Sequence, residues 1–364
     1  MVLDIAIEVL NLIEEEGYKA YLVGGFVRDY LLHLDINDLD ITTNMPIDIL
    51  KKKFNILDNG SKYLSVTILY KGYSFEITNF RKDLGYIDHR HPDVLIANSI
   101  EEDSLRRDYT INALYMDKNG HIFDFHDGLK DLANKELKMI GNPFLRFEED
   151  ALRILRGLYF SSKLGFQIES NTLFAMVDKK ELLASLQEEM LYKYFIKILY
   201  LDNDQAIRYI NELDLFQYIP KFKRWLNLVN KDIKEEDLVY YYYLKTKDFP
   251  IKVSNNVKEK AKVLEVLLKS IDAYTLYQNK VLYFELRDIL KAFGCDIIRA
   301  DEIVDSFIIK NDKELAISKE EIASHYVGKE KSIHIEMVKK AILNGEIENT
   351  REDILDYLGG QNNV

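Results

Sequence analysis

Two glycines near the N-terminus lie in a sequence pattern that is typical of a phosphate-binding site. Gly24 and Gly25 follow apolar, β-prone residues 20–23 and precede a helix-compatible run, 27–34. A strand, a glycine turn and a helix start form a cradle for anionic oxygens, because glycine lets a ligand approach backbone N–H groups. Arg28 adds a cation there. The pattern predicts a triphosphate cradle.

Asp38 and Asp40 supply an acidic pair next to this cradle. They lie two residues apart in a segment, 38–42, whose composition predicts a strand, and residues i and i+2 of a strand point to one face. Two hard oxygen ligands beside a triphosphate are typical of a Mg²⁺ site for nucleotidyl transfer. The alternative is a glycine turn with two solvated surface aspartates. The glycine turn alone, or the aspartate pair alone, favours that alternative. Their order along the chain and their short separation favour the metal site.

Glu76 is a candidate third carboxylate. Alternating residues 65–70 and 74–80 around Lys71-Gly72 predict a hairpin that carries Glu76 on its second strand. A third acid commonly completes a two-metal site. The alternative is a glutamate on the surface of the strand.

Arg106, Arg107 and Asp108 form a dense polar group ahead of a hydrophobic strand. Arg107 is suited to a phosphate, and Asp108 is suited to accept a hydrogen bond from a ribose hydroxyl, which would select ribonucleotides. The alternative is a structural Arg–Asp salt bridge at a helix cap.

Residues 147–164 predict one helix with a polar side. At 100° per residue, Asp150, Arg153, Arg156 and Gly157 fall on the same face. A carboxylate accepts from an exocyclic amine, and an arginine donates to ring nitrogens and carbonyl oxygens. One Asp–Arg pair, Asp150 with Arg153, therefore suits cytosine and adenine and rejects uracil and guanine. Gly157 would leave a bare patch for a flat base; the alternative is an ordinary amphipathic helix with a solvated face.

The elements around these residues change character along the chain. Up to about residue 140, hairpins and short helices predict a mixed sheet; from about 144, helix-period segments follow one another. The expected fold class is α+β, with an all-helical second part. Residues 82–103 are rich in charge, Gly, Tyr and His with poor periodicity, and they predict a long mobile loop.

Composition limits the remaining possibilities. The chain has 364 residues, which suggests two to four units, and a single cysteine, Cys295, which excludes an intrachain disulfide and a cysteine-rich zinc site. No apolar run approaches the ~20 residues of a membrane span, and the acidic first residues do not resemble an export signal, so a cytoplasmic location is expected. The net charge of −12 predicts that any nucleic acid is held by local basic surfaces.

Four motifs in order resemble the class II tRNA nucleotidyltransferases and bacterial poly(A) polymerases, within the polymerase β-type superfamily. They span about residues 21–166 and read GGFVRDYLLHLDINDLDITTNMP from Gly24, FEITNFR from Phe75, RRDYTINAL from Arg106 and RFEEDALRILR from Arg146. The chain departs from the family at Tyr109, where phenylalanine is usual, and at Tyr159, where a further arginine is usual.

The resemblance implies a polymerase β-like head followed by helical segments. It implies a head over residues 1–140, a base-templating neck over 141–200, a body over 201–270 and a tRNA-binding tail over 271–364. It also adds Asn112 to the nucleotide-binding residues, and it makes 82–103 the flexible element that the family needs to add the final A.

The implied reaction is attack of a tRNA 3′-hydroxyl on the α-phosphate of CTP or ATP, with Mg²⁺ as cofactor and tRNA, ATP and CTP as partners. The alternatives are a poly(A) polymerase of the same family, a specialist that adds only C-C or only A, and a catalytically dead RNA-binding scaffold. The compact acidic second half favours the tRNA enzyme over a poly(A) polymerase. No membrane partner is expected, and both a monomer and a homodimer are compatible with the sequence.

Overall fold

The computed structural model describes residues 2–58, 64–86, 92–201, 204–226, 232–324, 326 and 329–361. The chain divides into two compact units, Met1–Asn227 and Leu228–Val364. A hydrophobic core surrounds the sheet of the first unit, and a separate core, built from helix faces, fills the second.

The strands all lie in the first unit, as far as the described residues extend. They are β1 (Ala20–Val23), β2 (Asp40–Thr43), β3 (Asn55–Asp58), β4 (Ser65–Tyr70), β5 (Tyr73–Asn79), β6 (Arg81–Tyr86), β7 (Pro92–Ile96), β8 (Leu114–Met116), β9 (Ile122–Asp124), β10 (Glu136–Leu137) and β11 (Gln167–Ile168).

Seven strands form a mixed sheet in the order β3-β4-β5-β2-β1-β8-β9. Strand β2 runs parallel to β5 and antiparallel to β1, so β2 and β1 lie between two hairpins, β4–β5 and β8–β9. The hairpin predicted around Lys71-Gly72 is therefore confirmed. The predicted α+β class is confirmed as well, because helices surround the sheet and dominate the remainder.

The first unit contains most of the helices that position the site. They are α1 (Val2–Glu14), α2 (Gly25–Leu31), α3 (Ile47–Lys53), α4 (Ile100–Leu105), α5 (Gly128–Asn134), α6 (Pro143–Glu149), α7 (Leu152–Leu164), α8 (Ser170–Lys179), α9 (Glu188–Leu199), α10 (Gln205–Glu212) and α11 (Lys221–Leu226). Helix α7 packs against both α9 and α10.

The second unit is helical throughout its described residues. Its helices are α12 (Leu238–Thr246), α13 (Asn255–Lys269), α14 (Ala273–Gln278), α15 (Lys280–Glu285), α16 (Arg287–Ala292), α17 (Ile297–Asp305), α18 (Lys319–Ser324), α19 (Glu330–Leu343) and α20 (Arg351–Gln361). No helix within the described ranges is long and apolar enough to cross a membrane.

Three local predictions were wrong. Asp38 precedes β2 and does not belong to it. The segment 82–103 is not an irregular loop, because β6 and β7 pair as an antiparallel hairpin that leads into α4; its middle, 87–91, lies outside the described residues. The helix predicted over 147–164 is two helices, because Asp150 adopts an extended backbone between α6 and α7 (φ −143°, ψ 98°).

Candidate active site

A cavity of about 680 Å³ in the first unit collects almost every predicted site residue. Its lining comes from the β1–α2 turn, the segment before β2, the start of β6, the region after α4 and two helices, α7 and α9. Eleven of the predicted residues line it: Gly24, Gly25, Arg28, Asp38, Asp40, Arg107, Asp108, Asn112, Asp150, Arg153 and Arg156. Glu76 is not among the lining residues.

The glycine turn lies directly against the acidic pair. Gly24 has φ +69°, which a residue with a side chain rarely adopts, and a Cβ there would lie 3.5 Å from the Asp40 Oδ2. A Cβ on Gly25 would lie 3.2 Å from the Asp38 Oδ2. The backbone approaches both carboxylates this closely because neither residue carries a side chain. The structure thus brings the two halves of the predicted site together.

The acidic pair carries mutual repulsion. Burial, and then the negative charges of Glu76 and Asp38, raise the pKa of Asp40 to about 7. Asp40 and Glu76 are direct partners across β2 and β5, although the Glu76 side chain is exposed. Carboxylate oxygens that repel each other suit a hard divalent cation, which would cancel the repulsion. Among the described residues no group of three or more acidic, His or Cys side chains is close enough to hold a metal, and Asp38 and Asp40 stay the predicted ligands.

Arg28 is a fixed cation at the bottom of this turn. Its side chain is 1% exposed. Its Nε donates to the Asp29 Oδ1 at 2.7 Å, its Nη1 donates to the Asn112 Oδ1 at 2.6 Å, and its Cζ lies 5.1 Å from the ring centre of Phe160. Asn112 therefore lies in the site as predicted, and it orients the guanidinium.

Arg107 is held by a fully buried carboxylate, Asp103. The Asp103 Oδ2 accepts from the Arg107 Nη2 at 3.1 Å and from the Tyr115 hydroxyl at 2.7 Å. Burial alone would raise the pKa of Asp103, but the charges of Arg106 and Arg107 hold it well below the usual range. A Cβ on Gly24 would lie 3.5 Å from the Arg107 Nη1. Arg107 therefore faces the glycine turn.

Asp108 lines the cavity but is already paired. Its Oδ2 accepts from the Nε of Arg156 at 2.6 Å, and its Oδ1 accepts from the Tyr109 N–H at 2.7 Å and from the Asn112 Nδ2 at 3.2 Å. Burial would raise the pKa of Asp108, yet Arg156 and these hydrogen bonds lower it to about 2. The salt-bridge alternative describes these contacts, although the partner is Arg156 of α7 and not a neighbour in sequence.

The two proposed base-reading residues meet the cavity from different local structures. Asp150 lies between α6 and α7, where its Oδ1 accepts from the Leu152 N–H at 3.0 Å. Arg153 is 4% exposed, and its Nη1 donates to the Arg146 carbonyl at 2.7 Å and to the Glu149 Oε2 at 2.9 Å. Arg153 of α7 therefore forms an ion pair with Glu149, the last residue of α6.

The expectation of a bare patch at Gly157 was wrong. A Cβ there would lie under 3.0 Å from the Tyr109 hydroxyl oxygen and from the Met176 methyl group. Tyr109 is fully buried, and its hydroxyl donates to the Arg153 carbonyl at 2.7 Å. Gly157 thus accommodates the tyrosine that replaces the family's usual phenylalanine, and the space is filled.

Comparison with known proteins agrees with this geometry. Residues 20–138 match the family model described as the Poly A polymerase head domain. The CCA-adding enzyme of Ligilactobacillus salivarius is 34% identical over 382 residues, which cover 96% of this chain and 95% of that protein. The CCA-adding enzyme of Bacillus pumilus is 32% identical over 391 residues, covering 97% and 96%.

The chain belongs to the family of CCA-adding enzymes. The resemblance seen in the four motifs is thereby confirmed. The crystal structure of the Bacillus stearothermophilus CCA-adding enzyme in complex with CTP superposes with a TM-score of 0.71 at 28% identity, over 99% of this chain and 98% of that one. CCA-adding enzymes are nucleotidyltransferases, and the cavity contains the glycine turn, the arginines and the acidic pair that the sequence predicts for this chemistry.

Several cavity residues of this CCA-adding family member were not among the predicted site residues, although the sequence analysis singled out Arg106 and Tyr159. They are Arg81, Asp83, Arg106, Leu152, Tyr159, Phe160, Lys163, Met190, Tyr194 and Lys197. Burial, and then the negative charge of Asp38, raise the pKa of Tyr159, so this departure from the family pattern lies on the Asp38 side of the cavity. Met190, Tyr194 and Lys197 share one face of α9, and the helical period of 188–199 is the signal that groups them. That period does not reveal which element the face meets.

Proposed function

We propose that the protein is a CCA-adding tRNA nucleotidyltransferase, which adds C, C and A to the 3′ end of tRNA from CTP and ATP without a nucleic-acid template. The observation that carries the proposal is one cavity that contains the glycine turn, the acidic pair and the polar residues of α7. Family membership specifies the reaction, and the cavity supplies groups for each part of a nucleotide.

We propose Mg²⁺ as the cofactor, held by Asp38 and Asp40. The donor set fits, because burial and then the negative charges of Glu76 and Asp38 raise the pKa of Asp40, and a divalent cation would offset that negative charge. When bound, such an ion lowers the pKa of an attacking hydroxyl and neutralises charge on phosphate oxygens. Glu76 stays a candidate third acid that acts on Asp40 from the neighbouring strand.

The cations around the glycine turn bind the triphosphate. Arg28 and Arg107 are each oriented by a buried acid, Asp29 and Asp103, so neither loses much conformational freedom when a phosphate arrives. Gly24 leaves room for phosphate oxygens beside them. Asp108 and Arg156 are paired in the cavity lining, and a ribose hydroxyl is the partner that we assign to Asp108.

The base lies toward the N-terminal end of α7. Each residue of a helix advances the chain by about 1.5 Å, so Arg153 and Phe160 are roughly 10 Å apart along the axis. Phe160 packs on Arg28 at the phosphate end, and this separation suits a nucleotide laid along α7. Asp150 would accept from the exocyclic amine and Arg153 would donate to the ring nitrogen, a pattern that cytosine and adenine match.

The wider organisation is proposed on the same basis. We assign residues 1–140 to the catalytic head, 141–200 to the templating neck, 201–270 to a body and 271–364 to a tail that binds tRNA. The enzyme would act in the cytoplasm as a monomer or a homodimer. A solved structure of the Thermotoga maritima CCA-adding enzyme is a complex with tRNA, and we propose tRNA as the partner here.

Incubation with tRNA that lacks C-C-A, together with labelled CTP and ATP, tests the proposal. The wild-type chain should add two C and one A, and Asp40→Asn should add none while still binding tRNA. Asp35→Asn, an exposed aspartate of the same α2–β2 connection, is the matched control and should keep full activity. Long tails made from ATP alone would indicate a poly(A) polymerase, addition that stops at C-C or starts at A would indicate a specialist, and binding without addition would indicate a scaffold.

A further inference from the structure

Helix α9 brings a cation to the cavity that forms no ion pair with a carboxylate of the described residues. Lys197 lines the cavity, and its Nζ lies 5.9 Å from the ring centre of Tyr159 on α7. That distance is within the range of a cation–π contact. The lysine side chain is half-buried, so the contact gives the ammonium a defined position at the wall that α9 forms.

Six other cations of the cavity are ion-paired within the protein and share four carboxylates. The ion pairs are Arg28 and Lys163 with Asp29, Arg106 and Arg107 with Asp103, Arg153 with Glu149, and Arg156 with Asp108. Lys197 has no carboxylate at ion-pair distance within the described ranges. Its full charge is therefore available to a ligand.

We propose that Lys197 binds a phosphate oxyanion of the reacting substrates. The inference rests on the proposed function and adds a substrate-binding residue to it. An ammonium on a flexible stem is a point charge suited to phosphate oxygens. Such a cation matters more in this chain than in a basic protein, because the net charge of −12 otherwise opposes an anionic ligand.

Two phosphates of the reaction have this chemistry: the triphosphate of the incoming nucleotide and the 3′-terminal phosphodiester of the tRNA. Tyr159 lies on the Asp38 side of the cavity, where the reacting ends of both substrates must meet if the acidic pair is catalytic. The experiment therefore follows the two substrates separately.

The test compares Lys197→Met, which keeps the length of the side chain and removes its charge, with Lys197→Arg, which keeps the charge. Lys193→Met is the matched control, because Lys193 is an exposed lysine one turn earlier on α9 and does not line the cavity. KM and kcat are measured for CTP at saturating tRNA and for tRNA at saturating CTP, and thermal melting shows that each variant is folded.

A charge-assisted hydrogen bond is worth about 1.5–3 kcal/mol, and 1.4 kcal/mol is a tenfold change in affinity, so Lys197→Met should raise one of the two KM values about tenfold. A rise for CTP identifies the triphosphate. A rise for tRNA, with the slope of log Kd against log salt reduced by about one, identifies the phosphodiester. Lys197→Arg should recover most of the loss.

Unchanged KM values in Lys197→Met would overturn the inference, as would equal losses in Lys197→Met and Lys193→Met. A change in the preference for C over U, without a change in either KM, would make Lys197 a base contact and would also overturn it. If the wild-type chain adds no nucleotide to tRNA, the proposed function fails first, and that failure is visible before any variant is measured.

Discussion

Replacement of Gly157 by alanine tests how tightly α7 is packed against Tyr109 and against Met176 of α8. Alanine is normally the better helix residue, by about 1 kcal/mol, so an exposed helical glycine gains stability from this change. At Gly157 the added methyl would lie under 3.0 Å from the Tyr109 hydroxyl oxygen and the Met176 methyl group. The structure therefore predicts the opposite sign.

The size of the effect follows from these contacts. Overpacking a filled core costs about 1–3 kcal/mol, and displacement of Tyr109 would remove its hydrogen bond to the Arg153 carbonyl, which contributes about 1 kcal/mol. After the gain in helix propensity, we expect the free energy of unfolding of the first unit to fall by about 2 kcal/mol. Tyr109→Phe alone should cost about 1 kcal/mol. The double variant should be less destabilised than the sum of both, because the nearest clashing atom is gone.

Tryptophan fluorescence during urea denaturation is a suitable assay. The chain contains one tryptophan, Trp225, which is buried in the first unit, so its signal reports that unit. Gly359→Ala in α20 is the matched control, since a Cβ there meets nothing within 4 Å; circular dichroism should show unchanged or raised stability. If Gly157→Ala is as stable as the wild type, or if its effect simply adds to that of Tyr109→Phe, the described packing of Tyr109 on α7 is incorrect.

Two further predictions concern Asp108 and the β6–β7 hairpin. The pKa of Asp108 is about 2 in the folded protein and ~3.8 in the unfolded chain. Its ionised form therefore adds about 2 kcal/mol to the free energy of unfolding above pH 4, and this contribution is lost as the pH falls toward 2. In Asp108→Asn, the free energy of unfolding measured by urea denaturation should vary less over this pH range, and an unchanged pH profile would refute the pairing with Arg156. Shortening the chain around Gly85 to His91 should leave C addition largely intact and block the final A, as read from product length on a sequencing gel; completed C-C-A, or parallel loss of C and A, would contradict this role.

The glycine turn and the acidic pair were predictable because both depend on local order along the chain. A strand, two glycines and a helix start identify a turn without knowledge of the rest of the fold. The strand position of Asp40 likewise follows from the residues next to it in the sequence. The predicted start of the strand was nevertheless wrong, because Asp38 lies before β2. Both carboxylates nevertheless lie against the glycine turn, Asp40 beside Gly24 and Asp38 beside Gly25.

Helix periodicity failed at Asp150 for a specific reason. Neither proline nor glycine interrupts the sequence there, so a period of 3.6 continues through residues 147–164. The break comes from the extended backbone of Asp150, whose carboxylate accepts from the Leu152 N–H. Aspartate is a common cap at a helix start. An argument from hydrophobic periodicity does not consider capping, so it does not detect the start of a new helix here.

The hairpin and the contribution of α9 could not be predicted from local patterns. Strands β6 and β7 pair with each other, outside the seven-stranded sheet, and leave Leu84 and Leu95 about half exposed, so no buried face imposes alternation. Lys197 enters the cavity because α9 packs on α7. Such a contact joins residues distant in sequence.

Base selection by Asp150 and Arg153 is the claim that distinguishes this enzyme from a general nucleotidyltransferase. The most direct measurement is the ratio of kcat/KM for CTP to that for UTP on tRNA lacking C-C-A, in the wild type, Asp150→Ala and Arg153→Ala. Each good contact to a base is worth ~1–3 kcal/mol of discrimination, so the ratio should fall by about 5- to 150-fold in either variant, with UTP incorporation raised relative to CTP. A ratio that stays at the wild-type value while all rates fall together would show that these residues only support the fold of α7, and that the base is selected elsewhere.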